Sequence, residues 1–228
     1  MGTVRDDPRD PDPGFAELYA RLPDATDLEP WLSLARAAQQ PVLYLGAGAG
    51  RLAVPLARAE IELVLVDAHP GMVGHLRRRL PGTEVRLALI EELQLGRTFD
   101  LVLVPSNILT TTDLLRNAAR QLGVGGRLAF ELTNPHWLGA GGSERFRVLA
   151  IDQDAARIEV DYPDGTIQEG ELDLVWPEQV EDWLAESGLE LARMFGHPDA
   201  ELEESPTFYV VALKPPAPGS GSAGPRSR

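Results

Sequence analysis

Two hydrophobic periods alternate along most of this chain. Short apolar runs are followed by stretches in which apolar residues recur at helical spacing. The runs at 42–45, 61–66, 84–89, 99–104 and 127–132 predict strands, and the segments at 51–59, 70–80 and 112–122 predict helices between them. Such alternation indicates a parallel sheet buried on both faces. Pro70 suits a first helical turn, where its missing N–H removes no bond. Gly123 follows the 112–122 helix as a C-cap. Two more helices, near 15–22 and 28–39, precede the first strand. Asp27 is placed to cap the second, which turns Trp31, Leu34, Ala35 and Ala38 inward.

After residue 145 the period drops to two. FRVLAID, ARIEVDY and TIQEGELDLV alternate between faces, and Pro163-Asp164-Gly165 marks a hairpin turn. A helix near 177–186 stops at Gly188. Strands at 189–195 and 207–213 are then joined by a short acidic loop, and a connection without a crossover helix favours an antiparallel pair. The expected fold is α/β: a doubly wound, mostly parallel seven-stranded sheet, Rossmann-like, with an antiparallel last strand. A small β-hairpin insertion, at about 146–175, follows the fifth strand. Residues 15–215 read as one domain, flanked by disordered tails at 1–14, rich in Asp and Pro, and at 216–228, rich in Pro, Gly and Ser.

Composition narrows the partners. Of 228 residues, 21 are Lys or Arg and 35 are Asp or Glu, a formal charge of −14. That surface repels phosphate backbones and anionic lipids, so neither nucleic acid nor membrane is an expected partner. No apolar run reaches membrane-spanning length, and the first residues are acidic rather than signal-like, so a cytoplasmic location is expected. Cysteine is absent, which removes thiolate ligands and nucleophiles. No histidine or carboxylate cluster has the spacing of a metal site.

The chemistry concentrates at LGAGAGR. Gly46, Gly48 and Gly50 sit where the first strand turns into a helix, a place where backbone N–H groups face a ligand. Asp67 ends the second strand, about 20 residues on, where a carboxylate accepts from ribose hydroxyls in doubly wound nucleotide folds. Two nucleotides compete. Gly48-Ala49-Gly50-Arg51-Leu52-Ala53 fits a loose dinucleotide fingerprint, which would make the chain an NAD-dependent oxidoreductase. The chain then turns into hairpins, however, where a dehydrogenase would add a second nucleotide-binding half.

The order of segments LGAGAGRLAVPLA, LVDAHPGM, FDLVLVPSN, GVGGRLAFELTNP, WPEQVEDWLAESGLELARMFG and TFYVVALKP resembles the class I S-adenosylmethionine-dependent methyltransferases, in particular their small-molecule branch. The resemblance covers roughly 15–215. It implies methyl transfer from S-adenosylmethionine to a small-molecule acceptor. By position it places Gly46, Ala47, Gly48 and Gly50 against the methionine part of the cofactor and Asp67 on its ribose. Ala68, His69 and Met72 would line the adenine, with Leu89 and Ile90 along its edge. Pro105, Ser106 and Asn107 would border the methyl group and acceptor, and Tyr19 would cover the cofactor. Two positions depart from the family. Tyr44 stands where an Asp or Glu usually orients the loop and the cofactor's amino end, and Leu89 stands where an Asp often accepts from the adenine amine. Each such bond contributes about 1.5–3 kcal/mol. Glu91 or Glu92 is near enough in sequence to replace Leu89. The departures also fit a non-catalytic member that keeps the fold for binding or assembly.

Methyl transfer is an in-line displacement driven mainly by alignment, so no triad is required. Catalytic residues are not fixed by the sequence. His136, after the fifth strand, is the best base candidate, and Asn107 is a candidate hydrogen-bond partner for the acceptor. Trp137, beside Gly139–Gly142, suits a lid or a loop anchor. Arg77, Arg78 and Arg79 read as a solvated helix end, and Glu201, Glu203 and Glu204 as a solvated loop. The hairpins would cap the acceptor pocket or form a homodimer contact.

Overall fold

A computed structural model describes residues 3–5, 7–197 and 201–216. Strand β1 (Thr3–Val4) leads into helices α1 (Pro13–Arg21) and α2 (Trp31–Arg36). The alternating unit follows: β2 (Val42–Leu45), α3 (Ala53–Arg58), β3 (Leu63–Asp67), α4 (Pro70–Arg79), β4 (Glu84–Leu87), a 3-10 turn at Ile90–Glu92, β5 (Phe99–Val104), α5 (Thr112–Arg120) and β6 (Leu122–Thr133). Next come α6 (Pro135–Gly139), β7 (Gly142–Ser143), β8 (Phe146–Ile151), β9 (Ala155–Asp161) and β10 (Ile167–Asp173). Helix α7 (Val180–Glu186) and strands β11 (Glu190–Phe195) and β12 (Thr207–Leu213) complete the described chain.

The main sheet has the order β11-β12-β6-β5-β2-β3-β4. Strands β6, β5, β2, β3 and β4 pair in parallel, while β12 runs antiparallel to both of its neighbours. The chain therefore reverses its direction of growth between β2 and β5, and the loops after these two strands open beside each other. That is the switch point at which ligands enter such sheets.

Alternation within each strand divides the core. Leu43, Leu45, Val64, Val66, Val102, Val104, Leu128 and Phe130 pack with α5 and α7 on one face. Val42, Tyr44, Leu63, Leu65, Leu101, Leu103 and Ala129 pack with α2, α3 and α4 on the other. Because both faces are covered, the strands read as unbroken apolar runs.

Several local expectations change. Helix α2 starts at Trp31, with Pro30 at its N-cap; Asp27 instead accepts from the Glu29 amide within the preceding turn. Gly123 is not a C-cap. Gln121 takes that place, and its carbonyl accepts from the Phe99 N–H, so the chain passes directly into β6. Gly126 answers a different need: a Cβ there would lie 2.9 Å from the Phe99 carbonyl oxygen.

The insertion is a second sheet of order β1-β10-β9-β8-β7, beginning at Gly142 rather than near 146. Its first strand comes from the segment read as an N-terminal tail: Thr3 and Val4 pair in parallel with Ile167 and Gln168. The expected tail beyond 216 lies outside the described residues. Leu138, Ala156, Ile158 and Leu174 form the small sheet's own core. Its Tyr162 packs edge-on to Tyr19 of α1, with ring centroids 6.5 Å apart, and Arg21 pairs with Asp164 at 3.2 Å. The small sheet thus backs the helix that covers the glycine turn.

Candidate functional site

The glycine turn requires its glycines. Gly46, Gly48 and Gly50 adopt φ of +70°, +56° and +91°, a region that costs a side chain about 1–2 kcal/mol. At Gly46 an added Cβ would also meet Ile108 Cδ1 at 2.1 Å, whereas at Gly48 it would meet nothing within 4 Å. Space therefore opens at Gly48.

The turn spends several amides on the protein. Ala47 N–H donates to the Val66 carbonyl at 3.0 Å and Gly50 N–H to the Ala47 carbonyl at 3.1 Å. Gly48 N–H donates to Asp67 Oδ2 at 2.7 Å, while Asp67 Oδ1 accepts from His69 N–H at 2.8 Å. Burial pushes the Asp67 carboxyl up, and the two amide donors and the nearby His69 ring pull it partly back. Asp67 thus joins the turn after β2 to the turn after β3 through one carboxylate.

His69 caps α4. Its Nδ1 accepts from Gly71 N–H at 3.0 Å and its Nε2 lies 2.9 Å from the Asp12 carbonyl, so the Nε2–H tautomer satisfies both. Gly71 lets α1 approach: a Cβ there would lie 2.7 Å from Ala16 Cβ. Met72 is buried with Phe15, Leu18 and Ala49, which makes it a packing residue between α1 and the turn. Two of the three helix-end arginines are also structural rather than solvated. Arg79 donates to the Ala49 carbonyl at 2.9 Å and pairs with Asp24, and Arg77 donates to the Val85 carbonyl at 3.2 Å. Arg51 donates to the Pro23 carbonyl at 2.9 Å and lies 5.9 Å from the Tyr19 ring centroid. The segment before α2 is latched onto the glycine turn.

Ala68, Pro105 and Ser106 are partly exposed at the same edge of the sheet, beside Gly46 and Gly48. Leu89 is half-buried at the start of the 3-10 turn, and Ile90 points into the core under α5. Neither acid after them fills the place of Leu89: Glu91 and Glu92 are exposed, and Glu91 pairs with Arg9 at 2.9 Å. Asn107 Oδ1 accepts from Thr133 N–H at 2.8 Å, tying the end of β5 to the end of β6. His136 faces Glu178 at 2.7 Å and stacks edge-on against Trp176 at 5.0 Å, so its imidazole is engaged by the segment before α7. Trp137 packs on Phe146 of the small sheet, which favours the anchor over the lid.

Tyr44 is 4% exposed, and its phenol is pushed far up by burial and then by the charges of Glu131 and Asp67. It is therefore a neutral donor at any working pH. Glu131 was not evident from its sequence context, LAFEL; the only signal was an acid within an apolar strand. It retains a little exposed area, yet protein surrounds it closely enough that burial pushes its carboxyl up to about 7.

A cavity of about 470 Å3 lies elsewhere, lined by Pro41, Glu60, Glu62, Thr83 and Glu84 at the opposite end of β2–β4. Ligands in open α/β sheets bind at the carboxyl ends of the strands, so the glycine-turn edge is the candidate site.

Residues 42–126 match the family described as methyltransferase domain. The solved CcbJ methyltransferase from Streptomyces caelestis superposes with a TM-score of 0.68, at 22% identity, over 89% of this chain and 96% of that one. The chain shares the class I methyltransferase fold with it. CalS10, an amino pentose methyltransferase from Micromonospora echinaspora solved with S-adenosylmethionine bound, gives a TM-score of 0.63 at 22% identity, over 80% of this chain and 86% of that one. An uncharacterised methyltransferase of Mycobacterium tuberculosis is 38% identical over 109 residues, 46% of this chain and 43% of the relative. The match thus spans less than half of that relative's length. Within this methyltransferase fold, the stretch matched by the family carries the glycine turn, Asp67 and the strand ends around them.

Proposed function

We propose that this protein transfers a methyl group from S-adenosylmethionine to a small-molecule acceptor at the edge formed by the turns after β2, β3 and β5. The observation that carries the reading is the bond from Gly48 N–H to Asp67 Oδ2, which holds a carboxylate beside an open, left-handed glycine turn. An adenosine fits this arrangement, because a carboxylate fixed by amides on one side keeps lone pairs for ribose hydroxyls. A dinucleotide fits less well, since the amides of Ala47, Gly48 and Gly50 already have protein acceptors and are not free for a pyrophosphate. The sheet also closes with the β11–β12 pair instead of a second nucleotide-binding half, which argues against an oxidoreductase.

In this reading Gly46, Ala47, Gly48 and Gly50 line the methionine arm, Asp67 holds the ribose, and Ala68, Leu89 and Ile90 flank the adenine. Pro105 borders the reacting end, and Tyr19 covers it from α1. Met72 supports the wall through its packing. The cofactor, when bound, supplies an electrophilic methyl on a positively charged sulfur. The protein aligns donor and acceptor and excludes water beneath α1 and the small sheet. Asn107 and His136 are already engaged, by Thr133 and Glu178, so neither is assigned as the base. The acidic surface favours a small acceptor over nucleic acid. Among the described residues no helix is long and apolar enough to cross a membrane.

Calorimetry with S-adenosylmethionine, S-adenosylhomocysteine and NAD tests this. The expected result is binding of both sulfur nucleotides and not of NAD, lost by at least tenfold in Asp67→Ala. A chain that binds neither sulfur nucleotide at millimolar concentration does not have this function. Leu89 favours a second reading, a binding module with a weakened adenine site. Measurable binding without turnover across a broad panel of amine and hydroxyl acceptors would support it.

A further inference from the structure

Glu131 is an enclosed acid near the candidate site that, among the described residues, has no ion-pair partner. Sheet register fixes its position. Tyr44 pairs with Leu103, Leu103 with Ala129 and Ala129 with Val211, a row on the face covered by α2 and α3. Two residues further along β6, Glu131 pairs with Tyr209, while β2 and β5 have just ended at Leu45 and Val104. Glu131 therefore stands on the same face as Tyr44, one row nearer the ends of the strands where the glycine turn begins. Its charge acts on both phenols, Tyr44 and Tyr209. Among the described residues it forms no ion pair and accepts no side-chain hydrogen bond, and burial alone governs its carboxyl. Once ionised, a carboxylate this enclosed is stabilised by a nearby cation, and none of the described residues pairs with it.

The proposed ligand does. Asp67, at the end of β3, fixes the ribose end, and the strand order β6-β5-β2-β3 leaves the methionine arm to extend across β2 towards β5 and β6. Strands are spaced about 4.8 Å apart, so β6 is about 10 Å from β2, within the combined reach of a methionine arm and a glutamate side chain. We propose that Glu131 receives the α-ammonium of the cofactor's methionine arm, with the neutral Tyr44 hydroxyl beneath it as a supporting donor. This rests on the function proposed above. It moves the anionic contact from the strand that carries the glycine turn to β6.

Three ligands separate the outcomes: S-adenosylhomocysteine, S-adenosylmethionine and 5′-methylthioadenosine, which lacks the amino-acid end. In Glu131→Gln, calorimetry is expected to show at least tenfold weaker binding of the first two and unchanged binding of the third. The intact affinity for 5′-methylthioadenosine doubles as the check that the variant is folded. Wild-type affinity for S-adenosylhomocysteine should also fall about tenfold from pH 8 to pH 6 as Glu131 takes up a proton, and this dependence should vanish in Glu131→Gln. The other groups that act on this row are Asp67, Tyr19 and Arg51 through Tyr44, and Asp27 through Tyr209. All of them remain in the variant, as does His69 beside Asp67. Unchanged S-adenosylhomocysteine binding in Glu131→Gln overturns the proposal. So does a loss confined to S-adenosylmethionine, which would place the charge on the sulfonium, or an equal loss of all three ligands. Failure of the wild type to bind any of them removes the cofactor reading, whereas normal wild-type binding with an unaffected Glu131→Gln removes only this inference.

Discussion

Single residues set the balance between stability and readiness to bind. The Glu131 carboxyl is pushed from the ordinary 4.5 to about 7 by burial. The folded state therefore holds this proton more tightly than the unfolded chain does. Its contribution to stability is fully present below pH 4.5 and is lost as pH rises towards 7. Glu131→Gln removes the ionisation, so urea unfolding at pH 8 should show the variant more stable by about 1–3 kcal/mol, with the difference absent at pH 4. A gain in stability coupled to a loss of ligand affinity would mark the residue as retained for binding. Gly71 makes the opposite case. Its Cβ would strike Ala16 at 2.7 Å and the His69 ring at 3.1 Å, so Gly71→Ala should lower stability by about 1–3 kcal/mol, seen as a lower thermal midpoint. Neither effect is visible from sequence. Glu131 looks like one acid in an apolar strand until register places it on the face of Tyr44, one row nearer the strand ends, and Gly71 looks like an ordinary helical residue until α1 lies against it.

Elements were readable where their pattern is local. The five parallel strands and their helices follow from periodicity, and the antiparallel end follows from a connection too short to cross over. What sequence hid was pairing at a distance. Thr3 and Val4 lie among Asp and Pro, and nothing nearby reveals that their partner is β10. Arg77 and Arg79 look solvated by composition, yet each spends its guanidinium on a backbone carbonyl of another element. The small sheet depends on such a distant contact. Val4 is buried with Phe15 and Leu18, so Val4→Asp should detach β1 from β10 and loosen α1. Hydrogen exchange should then accelerate at 167–168 and along α1, while β5 and β6 stay protected. Uniform acceleration across the main sheet would show that the small sheet is not an independent unit.

At the level of the whole molecule, charge and topology act separately. The formal charge of −14 sits on a fold that buries its apolar runs on both sheet faces, so the acids crowd the surface. Self-repulsion of this kind is screened by salt. Raising sodium chloride from low millimolar to about 150 mM should raise the thermal midpoint, and a fall would mean that surface ion pairs such as Arg97–Glu84 outweigh the repulsion. The glycine turn, Asp67 and the strand ends were legible because one turn and one spacing encode them. The row joining Tyr44 to Glu131 was not, because it crosses three strands that no linear motif connects.

The pairing of β1 with β10 also fixes an order of events during synthesis. The strands that carry the glycine turn and Asp67 can pair as soon as β6 has left the ribosome. Thr3 must wait for Ile167, although it was made first. Contacts so distant along the chain close late. A nascent chain would therefore pass through a stage with its glycine-turn edge built and α1 not yet backed by the small sheet. At that stage the glycine turn and Asp67 would lie open to solvent, and the cover would be laid down over an edge already formed.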